Sequence, residues 1–129
     1  MPRAVSRRKW FLILAGLALG LLLALNWQWL VFVYAVTTSE SRPALLDDAD
    51  WDDPGSAAAF TRRFAKGTPE RDLTVWLRAN AFTVDLSNRQ ATRLVQSLPC
   101  NEEIEVIWNA PSDGILRDAG ATVREAGCL

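Results

Sequence analysis

The chain has 129 residues, a formal net charge of −1 and no histidine. It has room for one small domain beyond any membrane segment, and it lacks the commonest general base and metal ligand. Arg3, Arg7, Arg8 and Lys9 precede a long apolar run, whereas the residues after Thr37 include 15 acidic and 10 basic side chains. That mildly acidic balance argues against a nucleic-acid partner.

Every residue from Phe11 to Leu25 is apolar or glycine, Asn26 and Gln28 interrupt, and Leu30 to Val36 is mostly apolar again. A helix of ~20 residues crosses the ~30 Å hydrocarbon core, and an export-signal core needs only ~7–15. The reading is therefore a basic cytoplasmic tail over 1–9 and a single transmembrane helix over 10–36. Basic residues on the N-terminal side put that terminus in the cytoplasm and the rest of the chain in the periplasm of a bacterial inner membrane. Trp10 at one end and Trp27, Trp29 and Tyr34 towards the other suit the headgroup regions. Two alternatives compete with a permanent anchor. Ser6, Arg7 and Arg8 match the start of a twin-arginine export motif, and Val33 and Ala35 loosely suit signal-peptidase cleavage. Gly16, Gly20 and Ala24 recur every fourth residue, a ridge that lets a second helix approach closely. The partners implied are the bilayer and either an envelope protein or a second copy of the chain meeting this helix.

Residues 37–53 carry turn formers, one proline and five aspartates within seven positions, Asp47 to Asp53. They read as an exposed acidic linker. Asp48, Asp50 and Asp52 have the alternation of a calcium loop, but Asp53 and Ala59 stand where that loop needs Gly and Glu. No metal is expected, and Asp53 is instead read as the N-cap of a helix opening at Pro54.

An α+β domain is expected over 54–129, with two or three helices packed on an antiparallel sheet that ends in a β-hairpin. Phe60 and Phe64 lie four apart on a face shared with Ala57. A second helix starts with Thr68 as N-cap and Pro69 at its first position, and buries Leu73, Trp76 and Leu77. Phe82, Val84 and Leu86 alternate as in a half-buried strand. Over 88–98, Ala91, Leu94, Val95 and Leu98 have helical spacing behind a Ser87/Gln90 capping box, with a strand over Thr92 to Leu98 as the alternative.

Two strands then flank Asp113-Gly114, a frequent hairpin turn pair. A constant index sum of 227 pairs Ile104 with Val123, Val106 with Ala121 and Trp108 with Ala119 on an apolar face. The same sum pairs Glu103 with Arg124 and Glu105 with Thr122 on a polar one. Cys100 and Cys128 miss that register by one residue just past the paired ends, so a disulfide between them is expected. Neither a zinc spacing nor a phosphate loop nor a Ser/His/Asp set is present. Glu102, Glu103 and Glu105 form the tight carboxylate cluster of the domain, but an exposed hairpin face offers no enclosure to split their pKa values. The expectation is a protein without catalysis or cofactor. Trp76, Trp108, Glu103 and Glu105 are its candidate interaction surface, and the alternative is a small-ligand binder with the tryptophans lining a cleft.

Gly67-Thr68, the apolar pair Leu73 and Leu77, and a terminal hairpin turning at Gly114 together resemble the small BamE-type (SmpA/OmlA) domain of the bacterial envelope. The resemblance implies a similar domain shape and an envelope location. That family carries a lipidation cysteine where this chain has an apolar helix, and no functional residue is carried over.

Overall fold

The computed structural model describes residues 7–128. Arg3, Ser6 and most of the basic tail lie outside them. The chain divides into two compact units, Met1–Thr38 and Ser39–Leu129.

The first unit is helical. Helix α1, Arg7–Leu25, buries no residue and is long and apolar enough to cross a membrane. Its 19 residues span about 28 Å, close to the thickness of a hydrocarbon core. A helix with so apolar a surface needs apolar surroundings, and none of its residues is buried among the described residues. Helix α2, Trp27–Thr37, follows after Asn26. The expected single helix over 10–36 is thus two segments. Asn26 lies off helical geometry at φ −105° and ψ 17°, and its side-chain amide donates to the Leu22 carbonyl at 2.8 Å. Its own carbonyl still accepts from the Leu30 N–H at 3.1 Å. The polar side chain folds back on the helix and competes for the main-chain acceptor there.

The second unit is α+β. Strands β1 (Thr83–Asp85), β2 (Gln90–Val95), β3 (Cys100–Asn109) and β4 (Asp118–Cys128) form an antiparallel sheet in the order β1-β2-β3-β4. Helices α3 (Ala58–Arg63) and α4 (Glu70–Ala79) share one core with a single sheet face. From the helices come Phe60, Phe64, Leu73 and Leu77, and from the sheet Ala91, Val95, Ile104, Val106, Ala121 and Val123. Side chains alternate along a strand, so Leu94, Glu103, Ile107 and Arg124 point the other way and are exposed. Trp76 is half-buried and packs against Phe60, Phe64 and Phe82, with ring centroids 5.4–5.8 Å apart.

The β3–β4 register follows the 227 sum throughout Glu102 to Asn109, and a bulge between Cys100 and Glu102 absorbs the one-residue offset of the cysteines. The Cys100 and Cys128 sulfurs lie 2.01 Å apart, at disulfide bonding distance. The connection between these strands is wider than a tight hairpin. It runs from Ala110 to Arg117, turning where the Gly114 N–H meets the Pro111 carbonyl, with Gly114 at φ +70°. Its far side is sewn to the approach of α4 by bonds from Gly67 to Leu116, Leu116 to Thr68 and Glu70 to Gly114.

Several expectations change. Residues 88–98 hold strand β2, not a helix, because β2 gains ladder partners on both sides and puts Ala91 and Val95 into the core. Ser87 is not a helix cap. Its hydroxyl and N–H both donate to Asp85 Oδ1 in the turn between β1 and β2, joined there by Asn88. Those donors hold the Asp85 carboxyl down at about 2. Asp53 does not cap α3, which begins five residues later at Ala58. It accepts instead from the Gly55 N–H in a local turn. Helix α4 begins one residue later than expected, with Pro69 at the cap position. It ends in a Schellman arrangement, in which Ala81 N–H binds the Arg78 carbonyl and Phe82 N–H binds Leu77. Ala81 takes the left-handed conformation usually given to glycine there, φ +60°.

The largest change concerns residues 37–53. They are not a free tether. The fold of the second unit begins with Glu40, whose N–H donates to the Gln96 carbonyl at 2.7 Å. Pro43, Leu46 and Ala49 are buried beneath a single 3₁₀ turn, Ala44–Leu46. The aspartates stay on the outside of this turn, while the apolar residues between them reach the core.

Candidate interaction surfaces

The packed segment is fastened by one polar node. The Arg42 guanidinium donates through Nε and Nη2 to both oxygens of Glu102, at 2.7 and 2.6 Å. Its Nη1 donates to the Ala49 carbonyl at 2.7 Å, which closes the segment on itself. The Trp51 indole N–H reaches the same Glu102 carboxylate at 2.8 Å. Next to it, the Asp52 N–H donates to the Val123 carbonyl, and Trp51 forms a parallel bridge to that edge of β4.

Glu102 points inward because it alternates with the exposed Glu103 and occupies the end of the inner row formed by Ile104 and Val106. The Arg42 hydrogen bonds hold its carboxyl below the ordinary carboxylate range, with Trp51 adding to them and burial opposing. The same contact raises the Arg42 guanidinium. A planar fork facing two carboxylate oxygens is the strongest geometry available to such a pair. Nothing in the local sequence marks this node, because its partners stand 60 and 51 residues apart.

The four candidate surface residues separate. Trp108 is buried at 3% exposure, and its indole N–H donates to Glu70 on α4 at 2.7 Å. It is a core residue and leaves the candidate surface. Trp76 is only half-buried and otherwise belongs to the aromatic cluster. Glu103 and Glu105 lie on the outer sheet face as expected. Glu105 pairs with Arg124 at 3.0 Å, and Glu103 has no ion-pair partner among the described residues.

Glu103 also lines an open groove of about 360 Å³ with Glu40, Ala81, Thr83, Thr92, Arg93 and Leu94. The groove sits where β1 stops short of the end of β2. Arg93 enters it from the inner side, donating to the Asn80 carbonyl at 3.0 Å and lying 3.8 Å from the Glu40 carboxylate. It is an open, mixed-polarity depression and not an enclosed pocket.

On helix α1, Gly16, Gly20 and Ala24 are exposed, and a methyl group added at either glycine meets nothing within 4 Å. Among the described residues, Cys100, Glu125 and Cys128 form the one group of three potential metal ligands. With the two sulfurs bonded to each other, no thiolate is left to bind an ion. Comparison with family models, curated proteins and solved structures returned no match.

Proposed function

We propose that the chain is a non-catalytic, membrane-anchored module of the bacterial envelope. Helix α1 crosses the inner membrane with its N-terminus in the cytoplasm, and the α+β domain works in the periplasm as an accessory subunit for another envelope protein. The observation that carries this reading is the junction between the units. Thr38 and Ser39 are the only residues between the last helical residue, Thr37, and Glu40, the first residue hydrogen-bonded into the domain. A segment this short reaches ~10 Å even when fully extended. The domain is therefore tied by a two-residue connection to the helical unit that holds the anchor, which suits partners in or at the membrane.

The oxidising compartment on that side suits the paired cysteines. The basic residues before the helix and the aromatic residues Trp27, Trp29 and Tyr34 after its apolar run suit the same orientation. No role in barrel assembly is carried over from the envelope-domain resemblance, since the apolar helix replaces the lipid anchor.

The test is in-cell cross-linking of the tagged full-length protein, purification in mild detergent and mass spectrometry of what accompanies it. A stoichiometric envelope partner supports the reading, and recovery of the protein alone as a monomer contradicts it. The double variant Gly16→Ile with Gly20→Ile separates the two routes of association. Loss of the partner assigns the contact to the membrane ridge, and retention assigns it to the domain. A second reading, a small-ligand binder, draws on the groove at the end of β1. A ligand-dependent rise in the melting temperature of the intact protein would favour it.

A further inference from the structure

Strand β1 covers only half of its neighbour. Thr83, Val84 and Asp85 pair with Thr92, Ala91 and Gln90, while β2 continues through Arg93, Leu94 and Val95. Farther along the same edge, the Glu40 N–H closes on the Gln96 carbonyl. On the opposite edge, Trp108 N–H binds the Arg89 carbonyl. Main-chain groups alternate between the two edges of a strand. Gln90, Thr92, Leu94 and Gln96 therefore direct their N–H and C=O groups towards β1, and Arg89, Ala91, Arg93 and Val95 towards β3.

Thr92 meets Thr83 and Gln96 meets Glu40, which leaves Leu94 between them as a rung without a main-chain partner among the described residues. Ala81 would oppose Leu94 if β1 continued. Its left-handed conformation turns the chain away, and its N–H is already given to Arg78. The open groove lies over this gap.

We infer that the gap at Leu94 is a docking notch for an extended segment of a partner protein that carries a basic side chain. An unpaired edge rung accepts the main chain of an added segment, and the side chains around it choose which segment enters. Here those side chains are two carboxylates, Glu40 and Glu103, against one guanidinium, Arg93. Arg93 is already committed to the Asn80 carbonyl and lies near Glu40. Arg124, opposite Glu103 in the register, is committed to Glu105. The uncompensated charge is therefore the Glu103 carboxylate, and it asks for a lysine or arginine. The side chain of Leu94, 53% exposed, offers an apolar contact to the neighbouring residue of the same segment. This inference rests on the accessory-module reading and names the chemistry of the partner.

The test uses the full-length protein in lipid nanodiscs and fluorescein-labelled pentapeptides of alternating threonine and valine with lysine or glutamate at the centre. A third peptide carries the central lysine with N-methylated flanking amides. The lysine peptide is expected to bind and to shift the Leu94 amide resonance, with the glutamate peptide at least tenfold weaker. N-methylation should weaken binding about fivefold or more, since it removes main-chain donors without altering charge. Glu103→Lys, at an exposed position, should cost the lysine peptide at least tenfold, with the melting temperature as a check on folding. No binding of the lysine peptide, or binding indifferent to N-methylation or to Glu103→Lys, overturns the notch. A partner captured in the cell but unaffected by Glu103→Lys also overturns it, while leaving the accessory-module reading standing.

Discussion

Replacing Glu102 with glutamine tests the node that binds the segment around Arg42 to the sheet. The wild-type carboxylate accepts three hydrogen bonds of 2.6–2.8 Å, two from Arg42 and one from Trp51. The side chains of Arg42 and Glu102 keep only 18% and 11% of their exposure. Hydrogen bonds to charged groups contribute ~1.5–3 kcal/mol each, but water replaces part of that at a partly exposed pair, and glutamine retains one acceptor oxygen. Breaking one partner of a well-buried ion pair costs ~3–5 kcal/mol, so a loss of about 2–4 kcal/mol is expected here. For a domain of this size that corresponds to a fall of roughly 10–20 °C in melting temperature. Urea unfolding of the full chain in mild detergent, followed by tryptophan fluorescence, gives the number. Arg42→Gln and the double variant complete the cycle, which should return a coupling of at least ~1 kcal/mol. A loss below about 0.5 kcal/mol, or single effects that simply add, would refute the idea that this pair holds the segment in place.

Other outcomes follow from the same contacts. Because the folded-state pKa of Glu102 is depressed, its contribution is present above the ordinary carboxylate pKa and is lost as pH falls through the depressed value. Stability measured across that acidic range should fall more steeply for the wild type than for Glu102→Gln, and parallel curves would contradict this. Changing Cys100 and Cys128 together to serine should cost about 3–4 kcal/mol from the 28-residue separation they close, read as a lower urea midpoint. Trp108→Phe keeps the ring in the core but removes the donor to Glu70, for an expected loss of ~1–2 kcal/mol with the fold intact by circular dichroism. Ala81→Gly relieves a left-handed residue at the end of α4 and should raise the urea midpoint, a gain of up to ~1 kcal/mol that an unchanged or lower midpoint would contradict.

The β3–β4 pairing was legible because period-two alternation and a single index sum constrain every residue at once. The one-residue offset of the cysteines was legible as well, although the bulge that absorbs it was not. The apolar helix was equally plain, since Phe11 to Leu25 is an unbroken run of apolar residues and glycine. The helix expected over 88–98 was misread because Ala91, Leu94, Val95 and Leu98 fit helical spacing, whereas in the strand only Ala91 and Val95 face the core and Leu94 points away, an arrangement that the partners on either side decide. Residues 37–53 were misread for a different reason. Five aspartates dominate the composition, and the short apolar set Leu45, Leu46 and Ala49 is too brief to show a period. The residue that makes the segment fold, Arg42, has its counterpart far away in sequence. Trp108 was placed on a surface because tryptophan near a hairpin suits binding, whereas its own register position already put it in the apolar row with Ile104 and Val106. The groove could not have been read from the chain, because it arises from where β1 stops and how Ala81 turns.

The central claim is an anchored domain facing outward, and a pair of C-terminal fusions tests it most directly. Alkaline phosphatase, active only outside the cytoplasm, and green fluorescent protein, which matures inside it, would each be joined after Leu129 and followed through carbonate extraction of membranes. The account predicts active phosphatase, no fluorescence and retention of the full-length chain in the extracted membranes. Bright fluorescence with inactive phosphatase, or release of the chain into the soluble fraction, would contradict it.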